Sequence, residues 1–358
     1  MHSFSSLTYK NVRGANLMLK RKVLVTGGAG FIGGNFVQYM VKKYPQYDIV
    51  NLDLLTYAGD LSKHSNIESN RNYHFVKADI SNRDEILNLF EKEKFHFVVH
   101  FAAESHVDRS ITDPQVFIRS NVLGTQVLLD AAKANKVSKF VHVSTDEVYG
   151  ELDFDPNSFF TEETPLQPNS PYSASKASSD LLVRSYHETF DLPMNITRCS
   201  NNYGPFHFPE KLIPLTISRA LNNEKVPVYG DGKNIRDWLH VQDHCSAIDL
   251  VLHEGVSGEV YNIGGHNERT NLEVVKTIIK TLKKSEDLIE FVSDRLGHDK
   301  RYAIDPTKLE NLGWNPTYTF DTGIKHIIQW YLNNKEWWER IISGEYQSYF
   351  DKQYSLNR

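Results

Sequence analysis

Two residue sets in this chain have types and spacing suited to chemistry. The stretch "STDEVYG" (Ser144 to Gly150) places a hydroxyl, two adjacent carboxylates and a tyrosine directly after the apolar run "KFVHV". Two carboxylates in one pocket divide into acid and base, because each charge raises the other's pKa. A bare Asp-Glu pair is more commonly a solvated turn. Consecutive strand residues also point to opposite faces, which opposes a shared substrate unless the chain leaves the strand by Thr145. Tyr149 and Gly150 favour that exit.

The second set is in "SPYSASKASSDLLVRSYHETF", where Tyr172 and Lys176 stand four apart. Pro171 suits the first position of a helix, and a helix puts i and i+4 on one face. An ammonium beside the phenol favours phenolate and is expected to lower its pKa. Such a tyrosine takes the proton of an alcohol while a nicotinamide dinucleotide takes the hydride. In isolation, Y-x-x-x-K is more often a core tyrosine and a solvated lysine.

A dinucleotide loop changes those odds. "VLVTGGAGFIGG" spaces Gly27, Gly30 and Gly33 as G-x-x-G-x-x-G between a strand and a helix. Glycine lets the backbone approach a pyrophosphate, and the helix N-terminus beyond offers unpaired N–H groups. Asp53 ends the next strand, 20 residues past Gly33, where a carboxylate accepts from ribose hydroxyls and repels a 2′-phosphate. NAD is expected over NADP. Asp79, in "KADI", either holds the adenine edge or caps the following helix.

These residues need a scaffold, and the first half of the chain supplies its pattern. Strand-like runs at 22–27, 48–53, 73–79, 95–102, 139–144 and 194–200 alternate with amphipathic stretches. Apolar strands alternating with helices indicate a parallel sheet covered on both faces, a doubly wound α/β fold of Rossmann type. After about residue 200, prolines 205, 209, 214 and 227 break the rhythm, although "GEVYNIGG" (258–265) again reads as a strand. The expectation is a dinucleotide domain over 21–200 with a return contribution near 235–265. A smaller, interleaved C-terminal substrate-binding domain takes most of 201–345. Residues 1–20 read as a disordered or over-extended start, with Met18 just before the first strand.

Composition excludes several classes. A net charge of −5 and a pI near 6.3 advertise neither nucleic acid nor anionic membrane. No apolar run approaches the ~20 residues of a membrane helix. Cys199 and Cys245 form no spaced framework, so a reducing cytoplasm is expected. "HVQDH" puts His240 and His244 at helical spacing but lacks a zincin glutamate; a capped helix start is expected, and no metal.

The glycine loop with Tyr172 and Lys176 resembles the extended short-chain dehydrogenase/reductases that act on nucleotide sugars. "HFAAESHVDRS", "STDEVYG", "SPYSASKASSDLLV", "NNYGP", "FPEKLIP" and "GDGKNIRDWLHV" resemble the 4,6-dehydratase branch, from about residue 21 to beyond 330. The resemblance implies a homodimer joined through helices near 113–134 and 172–190, and oxidation at C4, loss of water across C5/C6 and hydride return to C6. It implies Asp146 as the acid at C6, Glu147 as the base at C5, and Thr145 as a partner of Tyr172 at the C4 oxygen. Its cofactor set is Gly27, Gly30, Phe31, Ile32, Gly33, Asp53, Leu54, Leu55, Thr56, Asp79, Ile80, Phe101, Ala102, Ala103, Ser105, Ser120, Tyr172, Lys176 and Asn202. Its substrate set is Ser105, Thr145, Asn201, Lys211, Arg236, Asn271, His298, Arg301 and Tyr302.

Arg236 suits a fork-shaped contact with a diphosphate; a pair with Asp237 is its plain alternative. Thymidine as the base rests on resemblance alone. Two departures stand out, Phe206-His207 where Tyr-Gln is usual and Leu296 where Pro is usual. Rival enzymatic readings are another dehydratase, an epimerase or a decarboxylase of the same fold, which product mass separates. A non-catalytic NAD-binding scaffold would show a damaged Tyr/Lys or acid pair, and both are intact.

Overall fold

A computed structural model describes residues 21–294 and 297–343; the expectations for residues 1–20, for Leu296 and for 344–345 lie outside them. The strands are β1 (Lys22–Thr26), β2 (Asp48–Asp53), β3 (Tyr73–Lys77), β4 (Phe97–His100), β5 (Lys139–Thr145) and β6 (Met194–Cys199). They continue as β7 (Asn201–Tyr203), β8 (Val226–Tyr229), β9 (Ile235–His240), β10 (Val260–Ile263), β11 (Glu268–Thr270) and β12 (Ile289–Val292). The longer helices are α1 (Phe31–Lys43), α2 (Arg83–Glu93), α3 (Gly124–Ala134), α4 (Pro171–Phe190), α5 (Leu212–Leu221), α6 (Val241–Glu254), α7 (Asn271–Thr281), α8 (Phe320–Asn333) and α9 (Lys335–Ile341).

Seven strands form one sheet in the order β10-β6-β5-β4-β1-β2-β3, with every pair parallel. Each strand run expected from the sequence contributes a member. The side chains alternate between two cores. Val23, Val25, Val99 and Val141 pack on one face under Phe36, Met40 and Ile248 of α1 and α6. Leu24, Val50, Val98 and Phe140 pack on the other under Phe90, Leu128 and Val183 of α2, α3 and α4. Both faces are dry, so the strands read as apolar runs instead of alternating ones.

The remaining strands build a three-stranded sheet, β11-β9-β7, and a parallel pair, β12-β8. Tyr203, Ile213, Trp238, Ile278, Phe320 and Ile327 form their core with α5, α7 and α8. The chain crosses between units repeatedly. β9 belongs to the small sheet, α6 lies on the large one, and β10 is the large sheet's edge.

β1 has β2 on one side and β4 on the other, so the loops leaving β1 and β4 diverge. A crevice opens beyond the carboxyl ends of the strands at such a reversal.

Candidate active site

The glycine loop leaves β1 in a conformation closed to other residues. Gly27 has φ +70, and a Cβ there would lie 2.6 Å from the Ala102 nitrogen. A Cβ on Gly33 would lie 2.3 Å from the Gly27 carbonyl oxygen. Gly30 is the N-cap of α1, and no side chain caps the helix, so its first N–H groups remain for a ligand. Asp53 Oδ2 accepts from the Ala29 N–H at 2.9 Å and Oδ1 from the Leu55 N–H at 2.8 Å. Burial raises its pKa.

Asp79 does not cap α2; Asn82 does. Asp79 Oδ1 instead accepts from Ser81 at 2.8 Å, and Oδ2 pairs with Arg119 at 3.0 Å. This cradle fits a dinucleotide. It opens on a cavity of about 680 Å³ lined by every expected cofactor residue except Leu55, whose N–H is turned to Asp53.

The acids come from the end of β5. Thr145 is still extended, and a single turn of 3₁₀ helix follows over Asp146–Tyr149. Three residues per turn set neighbours roughly 120° apart in place of the strand's ~180°. Asp146 and Glu147 therefore both line the cavity, with Thr145, Tyr172 and Lys176. Gly150, at φ +97, ends the turn where a Cβ would meet the Gln167 carbonyl oxygen at 2.5 Å.

Asp146 is 2 % exposed, and its Oδ2 has no hydrogen-bond partner. Burial, then the neighbouring Glu147 charge, hold its pKa well above the carboxylate range. That is the state of a general acid.

Tyr172 and Lys176 sit on α4, whose start is a capping box of Ser170 and Ser173 with Pro171 in its first turn. The expected lowering of the Tyr172 pKa is not what the cavity produces. Burial and the charges of Glu147, Cys199 and Asp146 raise it well above 10.0, against a hydrogen bond with Thr145. Lys176 Nζ donates a hydrogen bond to the Val143 carbonyl at 2.8 Å. Burial pulls Lys176 itself down to about 8, opposed by Asp180. The i, i+4 spacing put both on one face, but desolvation and two carboxylates outweigh one ammonium.

Arg236, buried on β9, donates to the Ile235 and Asp299 carbonyls at 2.7 and 2.9 Å and stacks 4.2 Å over the Tyr302 ring. Asp237 accepts from the Gly265 and Asn267 N–H groups, each at 2.6 Å. Ser105, Asn201, Asn202, Lys211, Arg236, Asn271 and His298 line the cavity. Arg301 and Tyr302 do not. Arg301 is 1 % exposed and forks onto Glu268 at 2.7 and 3.0 Å, with the Asp155 and Ser158 carbonyls on its other nitrogen. The Tyr302 hydroxyl donates to Asp299.

His240 caps α6, accepting from the Gln242 N–H at 3.2 Å, and His244 Nδ1 lies 2.9 Å from Asn202 Oδ1. His207 stacks on Phe31 at 4.3 Å between ring centres, and Phe206 packs edge-on to Trp330.

One cluster escaped the sequence reading. The Tyr57 hydroxyl donates to Glu210 at 3.2 Å, His106 lies 3.5 Å from the same carboxylate, and Arg109 stacks 3.5 Å over the Tyr57 ring. Tyr57, His106 and Glu210 line the cavity. "SHVDRS" and "FPEK" hold three of the four residues, His106, Arg109 and Glu210, beside the expected Ser105 and Lys211.

A profile of the GDP-mannose 4,6 dehydratase family matches residues 24–327. A dTDP-glucose 4,6-dehydratase from Escherichia coli is 50% identical over 353 residues, covering 91% of this chain and 97% of that protein. The crystal structure of a dTDP-glucose 4,6-dehydratase from Bacillus anthracis in complex with NAD is 52% identical, with a TM-score of 0.83, covering 90% of this chain and 99% of that one. A UDP-glucose 4-epimerase from Thermus thermophilus, also with NAD, reaches a TM-score of 0.81 at 28% identity, covering 87% and 99%.

Proposed function

The chain belongs to the GDP-mannose 4,6 dehydratase family, and from that membership and the cavity we infer its reaction. It is an NAD-dependent hydro-lyase that converts dTDP-glucose to dTDP-4-keto-6-deoxyglucose and water. The observation that carries this reading is the pair Asp146 and Glu147 in one cavity with Tyr172. An epimerase needs the glycine cradle and the tyrosine; only loss of water needs an added acid and base.

Gly27, Gly30 and Gly33 would hold the diphosphate of NAD, with Asp53 on the adenosine ribose. When bound, NAD brings a positive ring that accepts a hydride and later returns it. Tyr172 removes the C4 hydroxyl proton, with Thr145 bonded to the same oxygen and Lys176 as the cation that favours phenolate. A ketone at C4 makes the C5 proton acidic, and Glu147 takes it, returning a proton to C5 once the hydride has been delivered to C6. Asp146, held protonated by its burial, gives its proton to the C6 hydroxyl, which leaves as water. Arg236, Lys211, Asn201, Asn271 and His298 line the region assigned to the nucleotide sugar.

Incubation with dTDP-, UDP-, CDP- and GDP-glucose and the matching glucuronates, followed by product mass, tests this. Loss of one water from dTDP-glucose is expected. An unchanged mass points to epimerisation, and loss of carbon dioxide from a uronate points to decarboxylation.

The protein is further read as a homodimer. Ile111, Val116, Ile118, Leu123, Leu181 and Phe190 are exposed apolar residues on or beside α3 and α4, and such a patch favours a partner surface. No helix among the described residues is long and apolar enough to cross a membrane; a cytoplasmic location is the reading that free, buried Cys199 and Cys245 support.

A further inference from the structure

Beneath the glycine loop lies a charged residue that the reaction scheme does not use. Lys63 belongs to the single helical turn Leu61–His64 and is 3 % exposed. Its Nζ donates to the Ala29 carbonyl at 2.7 Å and the Gly30 carbonyl at 2.8 Å. Both oxygens already have backbone partners, Ala29 from the Asp60 N–H at 3.0 Å and Gly30 from the Gly34 N–H at 3.2 Å. The ammonium is therefore not needed to satisfy them.

Nor does a direct counter-charge account for it, since among the described residues no carboxylate lies within 4.0 Å of its Nζ. Burying a cation without such a partner is costly. The fold also makes room for the residue. A Cβ on Gly34 would lie 2.6 Å from Lys63 Cδ, so α1 carries a glycine where the lysine stem passes.

We propose that Lys63 positions the glycine loop for the cofactor diphosphate, holding the Ala29 and Gly30 carbonyls inward so that the loop N–H groups face the anion, and supplying the cation beneath it. The proposal rests on the assignment of NAD to this cavity. A diphosphate bound at the loop would add to a counter-charge that the protein supplies only through space. Asp53 and Asp60 face the ammonium through space and favour its charged form, while burial pulls its pKa down to about 8. His64 beside it is held neutral, pulled by burial to about 4. Arg340 is the remaining charge, joined to Asp60 at 2.8 Å. Retention of the cofactor matters here because the hydride must return within the turnover that removed it.

The test is calorimetric binding of NAD to the cofactor-stripped protein, with Lys63→Met, Lys63→Gln and Lys63→Arg beside the wild type. Lys63→Met and Lys63→Gln should bind NAD roughly ten- to a hundredfold more weakly, as loss of a charge-assisted contact does. Their kcat at saturating NAD should stay unchanged, the melting temperature of the stripped protein should not fall, and Lys63→Arg should restore most of the affinity. Wild-type affinity should weaken as pH rises through about 8, and Lys63→Met should lack that step. NAD binding by Lys63→Met or Lys63→Gln as tight as the wild type overturns the proposal. So does failure of those variants to fold without NAD, because it would make the lysine a structural requirement. A wild type that binds no NAD overturns the functional reading itself.

Discussion

The Thr145 hydroxyl donates to Asp146 Oδ1 at 3.3 Å and accepts from the Glu147 N–H at the same distance. One side chain thus ends the strand, caps the turn and orients the acid. Thr145→Val keeps the shape and removes all three roles. It should lower kcat by about a hundredfold, the scale of one lost oriented donor, and lower stability by about 1 kcal/mol through the lost cap. Thr145→Ser should behave as wild type in steady-state assays and thermal melts. A loss in Thr145→Ser with none in Thr145→Val would assign the effect to the methyl group.

Glu147 is assigned to the C5 proton alone. Glu147→Gln should bind NAD as the wild type does and still oxidise C4, but water loss should fall by about 10²–10⁴. Absorbance of the reduced cofactor should then rise and persist on adding dTDP-glucose. Unchanged product formation would remove Glu147 from the mechanism.

The parts of this protein that local pattern controls were legible in the sequence. Val23, Leu24 and Val25 read as a strand because both faces of β1 are dry. Gly27 and Gly33 read as a cradle because no Cβ fits there. The exit expected by Thr145 rested on Tyr149 and Gly150; the strand runs through Thr145 and the chain turns one residue later, with Gly150 closing the turn. What long-range geometry decides was not legible. The resemblance places Arg301 with the substrate, but Glu268, 33 residues away, holds it, and it is 1 % exposed. Lys63 belongs to none of the sequence motifs, and only the folded chain shows Gly34 admitting it. The raised Tyr172 pKa is not legible either, because spacing reports which groups share a face and says nothing of the desolvation they share.

In the proposed mechanism Asp146 combines an activity requirement with a stability cost. Its folded pKa is raised, so the folded protein binds more protons than the unfolded chain above the ordinary carboxylate range. Stability is therefore fully present at low pH and is lost as pH rises through the folded pKa. Asp146→Asn removes that loss. The variant should melt at or above the wild-type temperature at neutral pH, while turnover falls by about 10²–10⁴. Its residual rate should also lack the alkaline decline that deprotonation of Asp146 imposes. A variant less stable than wild type at neutral pH would mean that Asp146 is ionised in the fold.

Asp180 lies one turn beyond Lys176 on α4, 1 % exposed, and holds Arg198 at 2.9 Å, with His142 at 3.4 Å. Its folded pKa is lowered, burial being outweighed by these partners. It therefore contributes stability above the ordinary carboxylate range that disappears as pH falls through the folded value. Asp180→Asn leaves Arg198 buried without its carboxylate and should cost about 3–5 kcal/mol at neutral pH, shrinking as the pH is lowered. Asp180 is also the charge that keeps Lys176 protonated against burial, near its value of about 8. In the variant, the alkaline limb of kcat should move to lower pH, and cooling to restore the folded fraction should not move it back. A pH profile superimposable on the wild type's would leave Asp180 a structural anchor for Arg198, with no part in setting the Lys176 charge.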